Sequence, residues 1–233
     1  MKILAFDTAT KSCSVALTDH ADLLAEISIV NTETHSRHLP SLIRDVCQLA
    51  RIGLRDIDGY AVTRGPGSFT GLRIGISTAI GLAQASGKPI AGVSTLHALA
   101  TQAADDSRLV CPMIDARRGE VYCAVFRQRE HHFHIQQTER VLKPQEALTA
   151  IKEPCIFVGN GATLYHSAIK NMMGHNAHFA ADINNTIRAA TVAWLANKRL
   201  LGGEMDDITS FEPTYLRQSD AQISKNKRKK SIP

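Results

Sequence analysis

Short apolar runs and alternating stretches dominate the first hundred residues. Lys2–Phe6 is an apolar run that ends at Asp7. Ser12–Thr18 sets Cys13, Val15 and Leu17 against Ser12, Ser14 and Ala16, the two-residue period of a strand. Leu23–Val30 predicts a third strand, and the tight connections predict an antiparallel meander. Over 36–51 the period changes to that of a helix, with Leu39, Leu42, Ile43, Val46, Leu49 and Ala50 on one stripe. Pro40 fits that helix only in its first turn, where a missing N–H does no harm. A strand over 57–63, a helix over 68–85, a strand over 89–93 and a helix over 95–103 follow. The order is β-β-β-α-β-α-β-α.

The same order then begins again. Leu109–Asp115 is an apolar run ending in Asp, Glu120–Arg127 alternates, and 131–136 predicts a third strand. A helix near 144–151, a strand over 155–158, a Gly159-Asn160-Gly161 turn and a helix near 162–172 come next. Asp7 and Asp115 stand at matching places, 108 residues apart. The repeat predicts two similar α/β halves. A last helix is expected over 186–201, with the chain after Thr191 packing back across the two halves, and the segment 211–217 (FEPTYLR) is expected to be ordered. The expected division is 1–104, 105–223 and a disordered basic tail, 224–233.

With 233 residues, the chain is long enough to bury a sizeable core without staples. Hydrophobic residues at 44% and charged residues at 21% are ordinary globular values. No apolar run approaches the ~18 residues of a membrane span, and the N-terminal run is too short for a signal peptide, so a cytosolic location is expected. The charge of +5 is localised: Lys225, Lys227, Arg228, Lys229 and Lys230 supply the excess, and the other 22 basic residues match 22 Asp and Glu. A basic surface over the whole body is therefore not expected. The five cysteines are widely spaced with no CxxC, which favours buried reduced thiols.

Two segments carry candidate chemistry. In Asp7-Thr8-Ala9-Thr10, between two strands, a carboxylate could hold hydrated magnesium while hydroxyls and amides face a phosphate; an Asx turn would explain the same residues. Arg64 to Gly75 (RGPGSFTGLRIG) follows a strand and opens a helix, neither as a Walker A loop nor as GxGxxG. Gly65, Gly67 and Ser68 could cradle a phosphate, or simply make a tight turn. Within the helix, Gly71, Gly75 and Ala79 form a small-residue stripe beside Leu72 and Ile76. Glycine in a helix costs about 1 kcal/mol relative to Ala, so two on one face predict a close approach, read here as a second helix. Of the histidines, His35 and His38 lack further metal ligands nearby and are expected as solvated or capping residues, and those at 131–134 as surface.

ILAFDTAT with SVAL, THSRHLP, RGPGSFTGLRIG, GVSTL, IDARRGEVY and PTYLR together resemble the TsaB (YeaZ) family, over residues 1 to about 217. The resemblance implies an actin-like (ribonuclease H-like) fold of two tandem β-β-β-α-β-α-β-α subdomains. It implies a non-catalytic partner of TsaD in making threonylcarbamoyladenosine at position 37 of tRNAs decoding ANN codons. TsaE, an ATPase, is the implied second partner, with a homodimer when TsaD is absent and tRNA reached only through the complex. No tightly bound cofactor or metal is implied, with ATP or ADP bound at the level of the complex and at most weak contacts at Asp7, Thr8, Gly65, Gly67 and Ser68. Where the catalytic relative carries HxxxH, this chain has Thr95 and Leu99, which cannot ligate a transition metal as two imidazoles do. Arg117 and Arg118 stand where nucleotide-binding relatives use small residues. The implied docking surface is Leu39, Leu42, Ile43, Val46, Gly71, Leu72, Gly75, Ile76 and Ala79. Three other readings are an independent ATPase, a direct RNA-binding protein through the tail, and a glycoprotease-type metallopeptidase.

Overall fold

The computed structural model describes residues 1–217 except 31–33, 104, 106 and 131. The basic tail and the expectations about it lie outside the described residues. The first half contains β1 (Lys2–Asp7), β2 (Ser12–Asp19), β3 (Asp22–Val30), α1 (His35–Ala50), β4 (Gly59–Gly65), α2 (Phe69–Ser86), β5 (Ile90–Ser94) and α3 (Thr95–Gln102). The second contains β6 (Leu109–Asp115), β7 (Val121–Arg129), β8 (His132–Leu142), α4 (Pro144–Thr149), β9 (Cys155–Val158), α5 (Asn160–Leu164), α6 (His166–Met173), β10 (Ala177–Phe179) and α7 (Ala189–Leu201). The sheet orders are β3-β2-β1-β4-β5 and β8-β7-β6-β9-β10, so the two halves share one topology. β1 is antiparallel to β2 and parallel to β4, and β6 is related to β7 and β9 in the same way. This is the actin-like arrangement.

Covering both faces of each sheet makes the central strands almost wholly apolar. On the outer face of the first sheet, Leu39, Leu42, Ile43 and Val46 of α1 and Ile76, Ala79 and Ala83 of α2 pack on Leu4, Phe6, Val15, Leu17 and Val62. Between the sheets, α3 and α7 share a core: Leu96, Leu99, Val192, Ala193 and Ala196 lie with Ile3, Ala5, Ala91, Val110, Ala124 and Phe126. The outer face of the second sheet carries Ala147, Leu148, Ala162 and Ile169 of α4, α5 and α6. All five cysteines are buried and free.

Several sequence expectations change here. Pro40 sits beyond the first turn of α1, on an exposed face where water can take the hydrogen bond that the ring forfeits. Leu49 is 67% exposed rather than part of the buried stripe. β10, only three residues long, was not expected at all, and the helix near 162–172 is two short helices. α7 begins three residues later than expected, and its first free amides are capped from the sheet: Ala189 N donates to Ser14 Oγ (3.0 Å) and Ala190 N to Glu26 Oε1 (2.9 Å).

The C-terminal segment crosses from one half to the other. Asp206 Oδ2 accepts from Gly92 N (2.7 Å) and Arg199 Nη1 (3.2 Å), which anchors it on β5. Phe211 is buried against Gly92, and Thr214 N donates to the Arg64 carbonyl. Tyr215 stacks on Phe69 at 4.9 Å, and Arg73 Nε donates to its hydroxyl (3.0 Å). Arg217 Nη1 then donates to the Ala116 carbonyl in the second half (2.8 Å) and pairs with Glu120. Tyr215→Ala is expected to lower stability by about 1 kcal/mol, the usual worth of a half-exposed aromatic pair. It should also speed proteolysis within 204–217, read by mass spectrometry of the first fragments.

Candidate functional site

β1 ends in Asp7, β6 ends in Asp115, and the two strand ends face one cleft between the halves. The cleft holds about 420 Å³, lined by residues 9–11, 67–70, 114–118, Tyr122, Asn160, Tyr215 and Arg217.

On the first-half side, the two candidate segments are knitted to each other. Thr8 Oγ1 donates to the Gly71 carbonyl (2.7 Å), and Ser68 N donates to the Ala9 carbonyl (2.7 Å). Ser68 also caps α2, its Oγ accepting from Gly71 N (3.3 Å). His35, at the start of α1, bonds the Thr10 carbonyl through Nε2 (2.8 Å), so it fastens this turn and is half-buried rather than solvated. The Asp7 carboxyl is wholly inside: Oδ1 accepts from Thr63 Oγ1 (2.6 Å) and Ala9 N (3.1 Å), and Oδ2 has no partner among the described residues. Burial pushes its pKa up to about 7, against the two hydrogen bonds, which pull it down.

Of the five residues expected to touch phosphate, only Gly67 and Ser68 border the cleft. Asp7 and Thr8 are 0% exposed, and Gly65 is buried under the Thr214 carbonyl. A carboxyl this enclosed has no room for the water shell of magnesium, and the Thr8 hydroxyl is already engaged. The first-half turn therefore does not fit a nucleotide phosphate with its hydrated ion.

The expected docking surface is corrected for the same reason. Leu39, Leu42, Ile43, Val46, Gly71, Leu72, Gly75, Ile76 and Ala79 are all buried within the chain. The small-residue stripe does mark a close approach, but what approaches is Thr8: a methyl group on Gly71 would overlap its carbonyl, and one on Gly75 its hydroxyl. The outward side of α2 carries Arg73, Ser77, Gly81 and Gln84, flanked by half-buried Ile74, Ile80 and Leu82.

On the second-half side, Asp115 is held by Asn160, whose Oδ1 accepts from Asp115 N (3.1 Å), while Asp115 Oδ1 accepts from Arg117 N (2.8 Å). Arg117, Arg118 and Gly119 follow with φ of 60°, 56° and 77°. Two consecutive arginines in the left-handed region are unusual, since that region suits Gly and Asn. Lys11, Arg117 and Arg118 are exposed here. The Gly-Asn-Gly turn thus serves as a brace for the Asp115 strand end, a role that no dipeptide signal reveals.

Thr95 and Leu99, at the places of the metal-binding histidines in the resemblance, are 0% and 1% exposed, in the core between the sheets. His97 stacks on Phe126 at 5.5 Å and meets Phe133 edge-on at 5.3 Å. Burial, with Lys198 nearby, lowers its pKa. Among the described residues, no group of three His, Cys, Asp or Glu side chains is placed to hold a metal ion, and no helix is long and apolar enough to cross a membrane.

The family model described as TsaD, tRNA N6-adenosine threonylcarbamoyltransferase, matches residues 23–225. The tRNA threonylcarbamoyladenosine biosynthesis protein TsaB of Escherichia coli is 41% identical over 167 residues, 69% of this chain and 72% of that protein. The Bacillus subtilis protein of the same name is 30% identical over 229 residues, 95% of this chain and 96% of its own. The solved structure of YeaZ from Pseudomonas aeruginosa superposes with a TM-score of 0.79 at 30% identity, covering 92% of this chain and 99% of that one. A relative matched from end to end and a shared two-sheet topology agree with the motifs in the sequence: the chain belongs to the TsaB (YeaZ) family of the actin-like superfamily.

Proposed function

We propose that this chain is a non-catalytic partner subunit, which binds a TsaD-type subunit and supports formation of threonylcarbamoyladenosine at position 37 of tRNAs decoding ANN codons. The observation that carries the non-catalytic reading is the burial of Thr95 and Leu99 in the core where the catalytic relative has its histidines. The enclosed Asp7 supports it, because a carboxyl without access to the cleft cannot position an ion for ATP chemistry. ATP or ADP then belongs to the assembled complex, with TsaE as its ATPase, and no cofactor is held tightly by this subunit. In the absence of TsaD the chain pairs with a second copy of itself. The docking face is the outward side of α1 and α2, where Leu49, Ile74, Ile80 and Leu82 leave apolar surface beside the open Gly81.

The test is rescue in bacteria depleted of their own TsaB. Expression of this chain should restore threonylcarbamoyladenosine in total tRNA, read by nucleoside mass spectrometry, and the tagged chain should capture TsaD. The isolated chain should form none of the product. Gly81→Arg, which points into open space, should reduce TsaD capture at least tenfold with an unchanged fold. Neither rescue nor capture would refute the reading, and product formation by the chain alone would refute its non-catalytic part.

A further inference from the structure

We infer that a second pocket between the halves, at the ends of β2 and β7 remote from the strand-end cleft, is a binding site for a small uncharged molecule that carries a planar ring and a carboxamide group. The site needs neither TsaD nor tRNA, so it stands apart from the function proposed above.

The pocket holds about 400 Å³ and is built from both halves. Thr18 of β2 and the β2–β3 turn supply one wall, Gln128 of β7 and Phe133 of β8 supply another, and α7 closes it with Ala190, Thr191 and Trp194. Ser14, paired with Asp7, lies at the cleft end of β2, whereas Thr18, paired with Ile3, lies at the other end. Val121, paired with Asp115, and Gln128 mark the same two ends on β7. Thr18 faces α7, because Ser14, four residues earlier on the same strand, caps that helix through Ala189 N.

Thr18 is 5% exposed, and its hydroxyl has no partner among the described residues. A hydroxyl shut away from water and left unbonded carries a cost that a ligand's carbonyl or N–H relieves. Gln128 is half-buried, and its amide both donates and accepts, which matches a carboxamide. Thr101 Oγ1 donates its proton to the His97 carbonyl (2.9 Å) and keeps a lone pair for an N–H. Leu23, Phe133 and Trp194 supply the apolar and aromatic surface for a ring. Lys198 Nζ lies 3.9 Å over the indole of Trp194 without lining the pocket. The two basic side chains that do line it are already paired. Arg188 engages Glu26 Oε2 through Nε (3.0 Å) and Nη2 (2.6 Å), and His20 Nδ1 bonds Asp19 Oδ1 (2.8 Å). A charged ligand would leave water for apolar walls and find no free counter-charge, so the pocket selects a neutral one.

The test uses the full chain labelled with nitrogen-15 and probes of one shape but different charge: benzamide, benzoate and benzamidine, which are neutral, anionic and cationic at neutral pH. Trp194 is the sole tryptophan, so its indole N–H gives a single signal that reports on this pocket. Benzamide should shift that signal saturably, with a dissociation constant on the order of 10 mM, the usual strength for a ligand of its size. Benzoate and benzamidine should bind more weakly by about fivefold or more. Thr18→Val, which keeps the shape and removes the unbonded hydroxyl, and Gln128→Leu should each weaken benzamide binding by about threefold or more. The rest of the spectrum reports whether each variant is folded, and Thr18→Val alone decides if Gln128→Leu is not. No saturable shift up to about 50 mM benzamide would overturn the inference. Equal binding of the charged probes, or unchanged binding by the folded variants, would overturn it as well. TsaD capture and rescue are unaffected by either outcome, so the proposed function stands or falls separately.

Discussion

Gly71→Ala is expected to destabilise the protein by about 3 kcal/mol or more, although it adds a single methyl group to a helix and should raise helix propensity. Overpacking in a core usually costs about 1–3 kcal/mol, and more when the obstacle cannot swing away. Here the obstacle is the carbonyl of Thr8, a backbone atom. It cannot retreat, because Thr8 bonds the Gly71 carbonyl, Ala9 accepts from Ser68, and β1 is zipped to β2 and β4. Gly81→Ala in the same helix is the matched control. It meets nothing within 4 Å and should stabilise by up to about 1 kcal/mol. Urea unfolding of the pair measures the difference, and a loss below about 1 kcal/mol for Gly71→Ala would show that the seam between β1 and α2 gives way.

Asp7→Asn is expected to make the protein more stable at pH 8 and to leave it unchanged or weaker at pH 5. The Asp7 pKa is raised to about 7 in the folded chain, above its unfolded value of roughly 3.9. A raised pKa means that the folded state binds the proton more tightly. The protonated carboxyl therefore contributes its stability fully below about pH 4, and this is lost as pH rises through 7. Three units correspond to something on the order of 4 kcal/mol, an upper figure for a group this buried. Asparagine removes the charge but leaves an amide where Oδ2 has no partner, which returns about 1–3 kcal/mol of that gain. The expected net is a gain of roughly 1–3 kcal/mol at pH 8 that vanishes by pH 5, read from urea midpoints. Equal effects at both pH values would show that Asp7 does not titrate in this range.

These two residues also show where sequence reasoning stopped. Asp7 and Asp115 revealed the duplication, because an apolar run ending in Asp is a pattern along the chain. Whether such a carboxyl faces a cleft or a core depends on a loop 60 residues away closing over it, and no local period records that. Gly71 and Gly75 announced a close approach correctly, since interior helical glycines need a reason. Their spacing is the same whether the neighbour is another helix or the end of a strand, so the approach was assigned to the wrong partner and nine buried residues to a surface. β10 escaped because three residues cannot display a period. The crossing segment Phe211–Arg217 read only as ordered; its stack on Phe69 and its reach to Ala116 join residues more than 100 positions apart.

The place of α7 has a consequence for biosynthesis. The inner face of the first sheet, with Ile3, Ala5, Ala61 and Ala91, is covered by Val192, Ala193 and Ala196 of that helix. All five strands of the sheet have been made by Ser94, yet their cover ends at Leu201. At about 5–20 residues per second, a nascent chain carries this apolar face, covered only in part by α3, for roughly 5–20 s. The first half is thus complete in topology long before it is complete as a folding unit, and a ribosome stalled within the second half would hold out a sticky surface. Such chains are natural clients for a chaperone that shields apolar sheet faces.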